Sequence, residues 1–312
     1  MWHYLSELVR TSPLGPYLYS SVWTQRAEHY FGTSGRDAMQ WFIGIMHDCE
    51  YNEELRIYYL SYLMLLSAFI LGAFLLLTRF AVGYGRHQGE TNMPTVPNRL
   101  SWFLQEVPSF IFPLIALWYK YKEKADQGLN FNIGFMSCIA WLMFTLHYFQ
   151  RSFIYTYLMK PSRPVPIHIL IMGIIFCSWN GYIQGFRSLF YANYEFGLIT
   201  APIRIIGLAF FMIGAYINIR SDADLRSLER GPNNQYRIPQ GQFFTYVSCP
   251  NYAGEILEWF GYFLFCQNIT AFAFWLFTAA NTGPRAKEHH EWYKREFRRY
   301  PAERKALIPF VY

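Results

Sequence analysis

A small set of polar and ionisable side chains stands inside, or close to the ends of, long apolar runs in this 312-residue sequence: Glu106, Tyr148, Arg151, Asn218, Asp222, Glu255 and Glu258. A charge at the centre of a bilayer costs roughly 2.5 to 3.5 kcal/mol on the gentlest insertion scales, so such groups face a bundle interior or a wet cavity and mark function. In "LSWFLQEVPSF", Gln105 and Glu106 lie about a turn and a half inside an apolar run, and Pro108 predicts a kink after them. In "FTLHYFQRSFIYTYLMK", Tyr148, Arg151 and Tyr155 are spaced i, i+3, i+7 and share a helix face. A phenol with an acid nearby is a hydrogen-bond donor suited to polarising a carbonyl. Further on, Asn218, Asp222 and Arg226 recur at i, i+4, i+8, followed by Arg230, Tyr236, Arg237 and Asn251. Basic residues with amide and carboxylate partners suit a phosphate- and ribose-bearing ligand. Glu255 and Glu258 open the run "SCPNYAGEILEWFGYFLF", where the free N–H groups of a helix start favour negative charge. Plainer readings remain open for each: snorkelling for Glu106 and Arg151, an interfacial ring for Tyr148, a solvated loop for 220–250.

The elements that must carry these residues are membrane helices. The chain is 53% hydrophobic and 21% aromatic, and only 15% of its residues are charged, against roughly 25% in ordinary soluble domains. Seven apolar runs approach bilayer length: 58–82, 100–121, 131–159, 166–186, 201–219, 252–267 and 270–287. The expected fold is therefore all-α, a seven-transmembrane-helix protein with 58–312 as one membrane domain and 1–57 as a polar N-terminal extension on the lumenal or external side. With seven crossings, eight Lys and Arg fall on the N-terminal side and 18 on the other, with Arg204 of the 27 left over. The excess of basic residues puts the C-terminus and the 220–250 loop in the cytosol. The net charge of +6 reflects this bias, and no nucleic-acid partner is expected. No cleavable signal peptide is expected, since the first 35 residues lack an apolar core.

Other motifs are weak. Cys49, Cys138, Cys177, Cys249 and Cys266 form no CxxC pair, and adjacent His289 and His290 point about 100° apart on a helix, so no metal site is expected. "GYGRHQG" echoes a dinucleotide fingerprint but follows a membrane run instead of a strand. "NIT" at Asn268 matches a glycosylation acceptor in a short turn. The acids and amides fall in the cytosolic half of several spans, which implies a shared polar cavity open to that side.

Five stretches carry a resemblance: "WFLQEVPSF", "HYFQRSFIY", "INIRSD", "YRIPQGQFFTYVSCPNYAGEILEWFGY" and "RAKEHHEWYKREFRRYPAERKALIPF". Together they make residues from about 79 to 312 resemble the steroid 5α-reductase family. The resemblance implies a seven-span enzyme of the endoplasmic reticulum membrane that uses NADPH to reduce the C4–C5 double bond of 3-oxo-Δ4 steroids. It implies Glu106 and Tyr148 as catalytic residues holding the steroid 3-carbonyl, with Gln105 lining the same site. It implies cofactor contacts at Tyr84, Arg151, Tyr155, Arg163, Asn218, Asp222, Tyr236, Arg237, Asn251, Glu255, His289 and Tyr293. Hydride would reach the β-carbon of the enone while charge grows on its oxygen, and a proton would then reach the α-carbon. Glu229 and Met172 depart from residues that relatives carry, and Glu258 receives no role. The rival readings are a related reductase of an enoyl-CoA or a polyprenal, a non-catalytic seven-span receptor or sterol-binding protein, and a membrane methyltransferase.

Overall fold

Apolar runs fold as helices because backbone groups without water must pair within their own segment. The computed structural model describes residues 52–78, 93–194, 197–229, 231 and 235–311, with Gln40 and Gly44. Among these the chain forms α1 (Glu53–Thr78), β1 (Thr95–Val96), α2 (Asn98–Asp126), α3 (Phe135–Phe149), β2 (Val165–Pro166), α4 (Ile167–Phe186), α5 (Thr200–Ser227), α6 (Pro250–Cys266) and α7 (Ile269–Glu296). Helix α3 runs on as π-helical turns at Gln150–Tyr155 and a last turn at Thr156–Leu158, and α4 as π-helical turns at Arg187–Tyr191. The chain divides into two units, Met1–Tyr59 and Leu60–Tyr312. The helices that carry the polar residues all lie in the second.

Four of the helical runs are long and apolar enough to cross a membrane: Glu53–Thr78, Asn98–Asp126, Ile167–Tyr191 and Thr200–Ser227. Large apolar side chains on their outer faces are exposed, among them Phe69, Leu77, Met172 and Met212. In water such a surface would drive association; in a bilayer it meets its own kind. The three other expected spans fall short by this measure. Helix α3 has 15 residues before its π turns, α6 has 17, and the apolar part of α7 gives way at Asn281.

Close backbone approach sets two of the helix pairs. Helices α2 and α4 run parallel, Gln105 lying against Gly173, Ser109 against Gly181 and Pro113 against Gly185. A Cβ on Gly181 would lie 2.8 Å from the Ser109 Cα, so the pair needs glycine to pack at this distance. Helices α5 and α6 run antiparallel, with Gly207 beside Gly261 and Gly214 beside Gly254. A Cβ on Gly214 would lie 2.3 Å from the Glu258 backbone nitrogen. Helix α3 lies antiparallel to α2, through Trp102 on Tyr155 and Phe110 on Phe149, and antiparallel to α6, through His147 on Glu258 and Phe144 on Tyr262. Helix α7 is antiparallel to α6, through Phe263 on Phe272 and Tyr252 on His289, and to α4, through Phe176 on Phe277 and Gln184 on Thr270.

Two expectations are corrected. The all-α reading misses a two-stranded antiparallel pair, Thr95 opposite Pro166 and Val96 opposite Val165. The chain enters α2 through Pro97 and α4 through Pro166, and proline holds itself and its predecessor extended. The 220–250 loop begins later than its polarity implies, because α5 continues to Ser227. Arg220 and Asp222 end the apolar run but not the hydrogen-bond ladder; hydropathy marks the end of the apolar run, not of the helix.

Candidate active site

The first polar group gathers where α2, α3 and α4 meet. Tyr148 is buried, and its hydroxyl oxygen accepts from Asn180 Nδ2 at 3.2 Å. Its ring packs on Phe144 with centroids 4.8 Å apart and stacks on Trp259. Glu106 accepts a long thiol contact from Cys177, 3.9 Å from Sγ to Oε2. It lies within electrostatic reach of Tyr148, Arg151, Glu255 and His147. Gln105 donates to Ser101 Oγ at 3.0 Å, its side chain filling the space that Gly173 leaves open. A carboxyl and a phenol thus share one buried site with few water-facing neighbours. In such a site a hydrogen bond to a developing oxyanion is worth more than in water.

The second group joins α3, α5 and α6. Arg151 sits on the π-helical turns, where one added residue per turn re-aims the face that an α-helix would present. Its guanidinium lies over the rings of Tyr155, 4.5 Å, and Trp102, 5.3 Å, and donates to Asp222 Oδ2 at 2.9 Å. The other Asp222 oxygen accepts from Asn251 Nδ2 at 3.1 Å, and Asn218 Nδ2 donates to the Asn251 carbonyl at 3.0 Å. Glu255, on α6, faces Arg151 and Asp222 electrostatically. The Arg226 guanidinium also stands over the Tyr155 ring, 5.4 Å from its centroid, and its Nη1 is buried without a hydrogen-bond partner among the described residues.

A third group lies between the start of α6 and the far end of α7. Tyr252 and His289 are in contact, 3.4 Å from hydroxyl to Nε2. The Tyr236 ring meets Trp292 at 5.2 Å, and Tyr293 stacks on Tyr300 at 5.4 Å. Ser248 Oγ is 2.6 Å from both His290 Nδ1 and the Tyr300 hydroxyl. Burial, reinforced by Lys294 and Lys305 against the pull of Glu291, holds the His290 imidazole below its ordinary range.

Of the residues singled out in the sequence, the structure thus brings together Glu106 with Tyr148, and Arg151 with Tyr155, Asn218, Asp222, Asn251 and Glu255. Tyr236, His289 and Tyr293 belong to the third group. Arg163 and Arg237 are exposed, on the segment leading into β2 and on the chain between α5 and α6. Tyr84 lies outside the described residues. Met172 is on the exposed outer face of α4 and Glu229 is exposed just past α5, so neither departure falls in the buried groups. Asn268, the residue of the glycosylation motif, accepts from the Ala271 N–H and caps α7, while Thr270 is buried against Ser61.

Among the buried polar side chains that went unread in the sequence, three bear on these groups: His147, Asn180 and Gln184. His147 pairs with Glu258, 2.7 Å from Nδ1 to Oε1, at 1% exposure of the glutamate. Asn180 and Gln184, on α4, are fully or almost fully buried. All three sit inside apolar runs, and the cost of a polar group in hydrocarbon is the signal that would have found them.

Comparison with known proteins bears on what this arrangement belongs to. Residues 163–312 match the family described as 3-oxo-5-alpha-steroid 4-dehydrogenase. The chain is 39% identical over 231 residues to 3-oxo-5-alpha-steroid 4-dehydrogenase 1 of Macaca fascicularis, covering 74% of this chain and 85% of the relative. It is 41% identical over 245 residues to 3-oxo-5-alpha-steroid 4-dehydrogenase 2 of Homo sapiens, covering 78% and 92%. The chain belongs to the 3-oxo-5-alpha-steroid 4-dehydrogenase family. The match to the type 1 protein of Mus musculus, 36% over 252 residues, extends to 81% of this chain and 95% of that relative. Family membership therefore rests on nearly the whole of the relatives' length, and the family match at 163–312 spans α4 to α7.

Proposed function

We propose that this chain is a multi-pass membrane enzyme of the endoplasmic reticulum that reduces the C4–C5 double bond of a 3-oxo-Δ4 steroid to the 5α product, with NADPH as reductant. The observation that carries the reading is the half-buried Glu106 within electrostatic reach of the buried Tyr148 in a chain about 40% identical to enzymes named for this reaction. The side chains nearby fit the cofactor. A guanidinium resting on a pair of aromatic rings, a carboxylate and amides suit a nucleotide's phosphates, ribose hydroxyls and carboxamide, and the orphaned Arg226 Nη1 is a donor in want of an anion. Arg151, Asn218, Asp222, Asn251 and Glu255 would hold it, with Tyr236, His289 and Tyr293 toward the far end. When bound, it supplies hydride at its nicotinamide ring.

The protein's own part is electrostatic. Tyr148 and Glu106 each present a hydrogen bond to the enone oxygen; for Glu106 this requires the protonated carboxyl. Charge grows on that oxygen as the β-carbon is reduced, and only interactions that strengthen as it grows speed the step. Phe144 and Trp259 wall the phenol, with Phe274 packed behind both, and exclude water. All seven helices cross the bilayer in this reading, with the ends of α3, α5 and α7 and the start of α6 on the cytosolic side. Their directions support it. Helices of odd and even number are antiparallel wherever they pack, and α2 with α4 is parallel, as strict alternation requires.

The test is steroid-dependent loss of NADPH by the purified protein in lipid nanodiscs, with the C5 configuration of the product determined. Oxidation of NADPH with an enoyl-CoA or polyprenal but with no steroid overturns the substrate; steroid binding without NADPH loss overturns the enzyme.

A further inference from the structure

Helix α4 carries two carboxamides at i and i+4, Asn180 and Gln184, in an apolar run, at 0% and 2% exposure. Ordering and burying such groups costs stability unless every polar atom is paired, so their hydrogen bonds say what they are for. Gln184 Nε2 donates to the Thr270 backbone carbonyl at 3.0 Å and to Asn180 Oδ1 at 3.3 Å. Asn180 Nδ2 then meets the Tyr148 hydroxyl at 3.2 Å.

The direction of this chain is fixed by one atom. A backbone carbonyl only accepts, so the end of Gln184 that faces Thr270 must be its NH2 group. The same NH2 faces Asn180, whose near end must therefore be its oxygen. The far end is then NH2, which only donates, so the Tyr148 oxygen is an acceptor on that side. A phenol has one proton, and with one lone pair engaged the O–H points elsewhere. Ser109, the other hydroxyl beside this phenol, has its own proton committed to the Cys177 carbonyl at 2.8 Å. It can only accept from Tyr148, and so gives the proton up to a better acceptor without competing as a donor.

We propose that Asn180 and Gln184 are positioning residues that hold the Tyr148 hydroxyl as a hydrogen-bond donor toward the substrate oxygen, with the Thr270 carbonyl as the anchor that sets their sense. The inference rests on the proposed role of Tyr148 and assigns that role's direction to three residues on two other helices. Donation from Asn180 also polarises the phenol, since linked hydrogen bonds strengthen one another.

Asn180→Asp decides it. The substitution keeps the shape and replaces a donor by a carboxylate that accepts from the phenol, turning the Tyr148 proton away from the substrate. With the full-length protein in nanodiscs, kcat for steroid-dependent NADPH oxidation falls at least about tenfold, while the steroid KM changes less than about threefold. The loss of one such donor typically costs about 10²–10³ in rate. In a Tyr148→Phe background the same substitution changes kcat less than about twofold, because the proton it redirects is gone. On acidification the single variant recovers part of its kcat, as its protonated carboxyl donates again. Should Asn180→Asp fail to fold, Gln184→Met removes the donor that orients Asn180 and is read by the same cycle. Losses that multiply in the double variant mean a structural role only and overturn the relay. Wild-type turnover by Asn180→Asp, with Tyr148→Phe impaired, overturns the relay alone. Wild-type turnover by Tyr148→Phe overturns the donor role itself.

Discussion

Replacing Asp222 by Asn keeps the side chain's size and takes away its charge. The consequences follow from its two partners. Asp222 accepts from Arg151 at 2.9 Å and from Asn251 at 3.1 Å, and the Arg151 and Asp222 side chains are only 10% and 8% exposed. An amide at 222 has one acceptor end. If that end serves Arg151, its NH2 meets the Asn251 NH2, and Asn251 must turn over or lose its bond. One charge-assisted hydrogen bond is worth about 1.5–3 kcal/mol, and stranding a buried charge costs about 3–5 kcal/mol. Here Arg151 is not wholly stranded. Glu255 and Glu106 lie within electrostatic reach, and the paired Trp102 and Tyr155 rings both meet the cation. The expected cost is therefore near the lower figure, about 2–3 kcal/mol.

At about 2–4 °C per kcal/mol for chains of 150–250 residues, Asp222→Asn should melt roughly 4–12 °C below the parent in detergent, followed by tryptophan fluorescence. If the network also presents Arg151 and Asn251 to the cofactor, NADPH affinity should fall about tenfold, which is 1.4 kcal/mol. Arg151→Met provides the control. In the double variant the coupling should return about 1.5–3 kcal/mol of the summed cost. An unchanged melting point for Asp222→Asn, or full additivity with Arg151→Met, would refute the reasoning, because the pair would then be a contact without energy.

Gly214→Ala should be costlier than its one methyl implies, since its Cβ would lie 2.3 Å from a backbone nitrogen of α6 that cannot move aside; overpacking costs typically about 1–3 kcal/mol, seen as a lower yield of folded protein or a lower melting point. Glu255→Gln should weaken NADPH on the order of 10- to 150-fold, whereas Glu258→Gln should lower the melting point with affinity little changed, as its bond is to His147; the opposite pattern in dissociation constants reverses the assignment. His290 is held below its usual range in the folded protein, so the unfolded chain binds the extra proton: stability is full above the ordinary imidazole value of about 6.5 and is lost as pH falls through the lower folded value. The dependence should flatten in His290→Gln, measured by melting across acid pH. In sealed microsomes a tag after Val311 should be cleaved by added protease, and one in the loop 127–134 should be protected.

The sequence made the helices legible because their boundaries are set by solvent. Runs 166–186 and 252–267 stand within two residues of Ile167–Phe186 and Pro250–Cys266. Where a helix runs on past its apolar stretch, hydropathy loses it, as at Ser227 of α5 and Glu296 of α7. Of the candidate residues, the charged ones in or beside apolar runs stood out: Glu106, Arg151, Asp222 and Glu255 ended in the two polar groups, whereas Arg163 and Arg237 are exposed. Asn180 and Gln184 did not stand out, because a carboxamide in an apolar run lowers hydropathy without breaking it. Their pairing crosses from α4 to α3 and α7, a relation that no spacing along one helix encodes. The π turns at Gln150–Tyr155 were likewise hidden.

The order of the helices explains why one site collects so many polar residues. Helix α3 packs against α2 on one side and α6 on another, so Tyr148 and His147, neighbours in sequence, face different groups. Tyr148 turns to Asn180 and the acid of α2; His147 turns to Glu258 of α6 and lies over Trp259. About one turn further on, Arg151 reaches α5 through Asp222. A single helix thus sets the distance between the group proposed to bind the carbonyl and the group proposed to bind the cofactor. The glycine contacts that seat α5 on α6 and α4 on α2 fix the partners on either side. Such close backbone packing leaves little room for the partners to shift. Most polar residues of the site are paired with a neighbour on another helix, as Arg151 with Asp222, Asn218 with Asn251 and Tyr148 with Asn180, and the Arg226 Nη1 donor is left without a partner among the described residues.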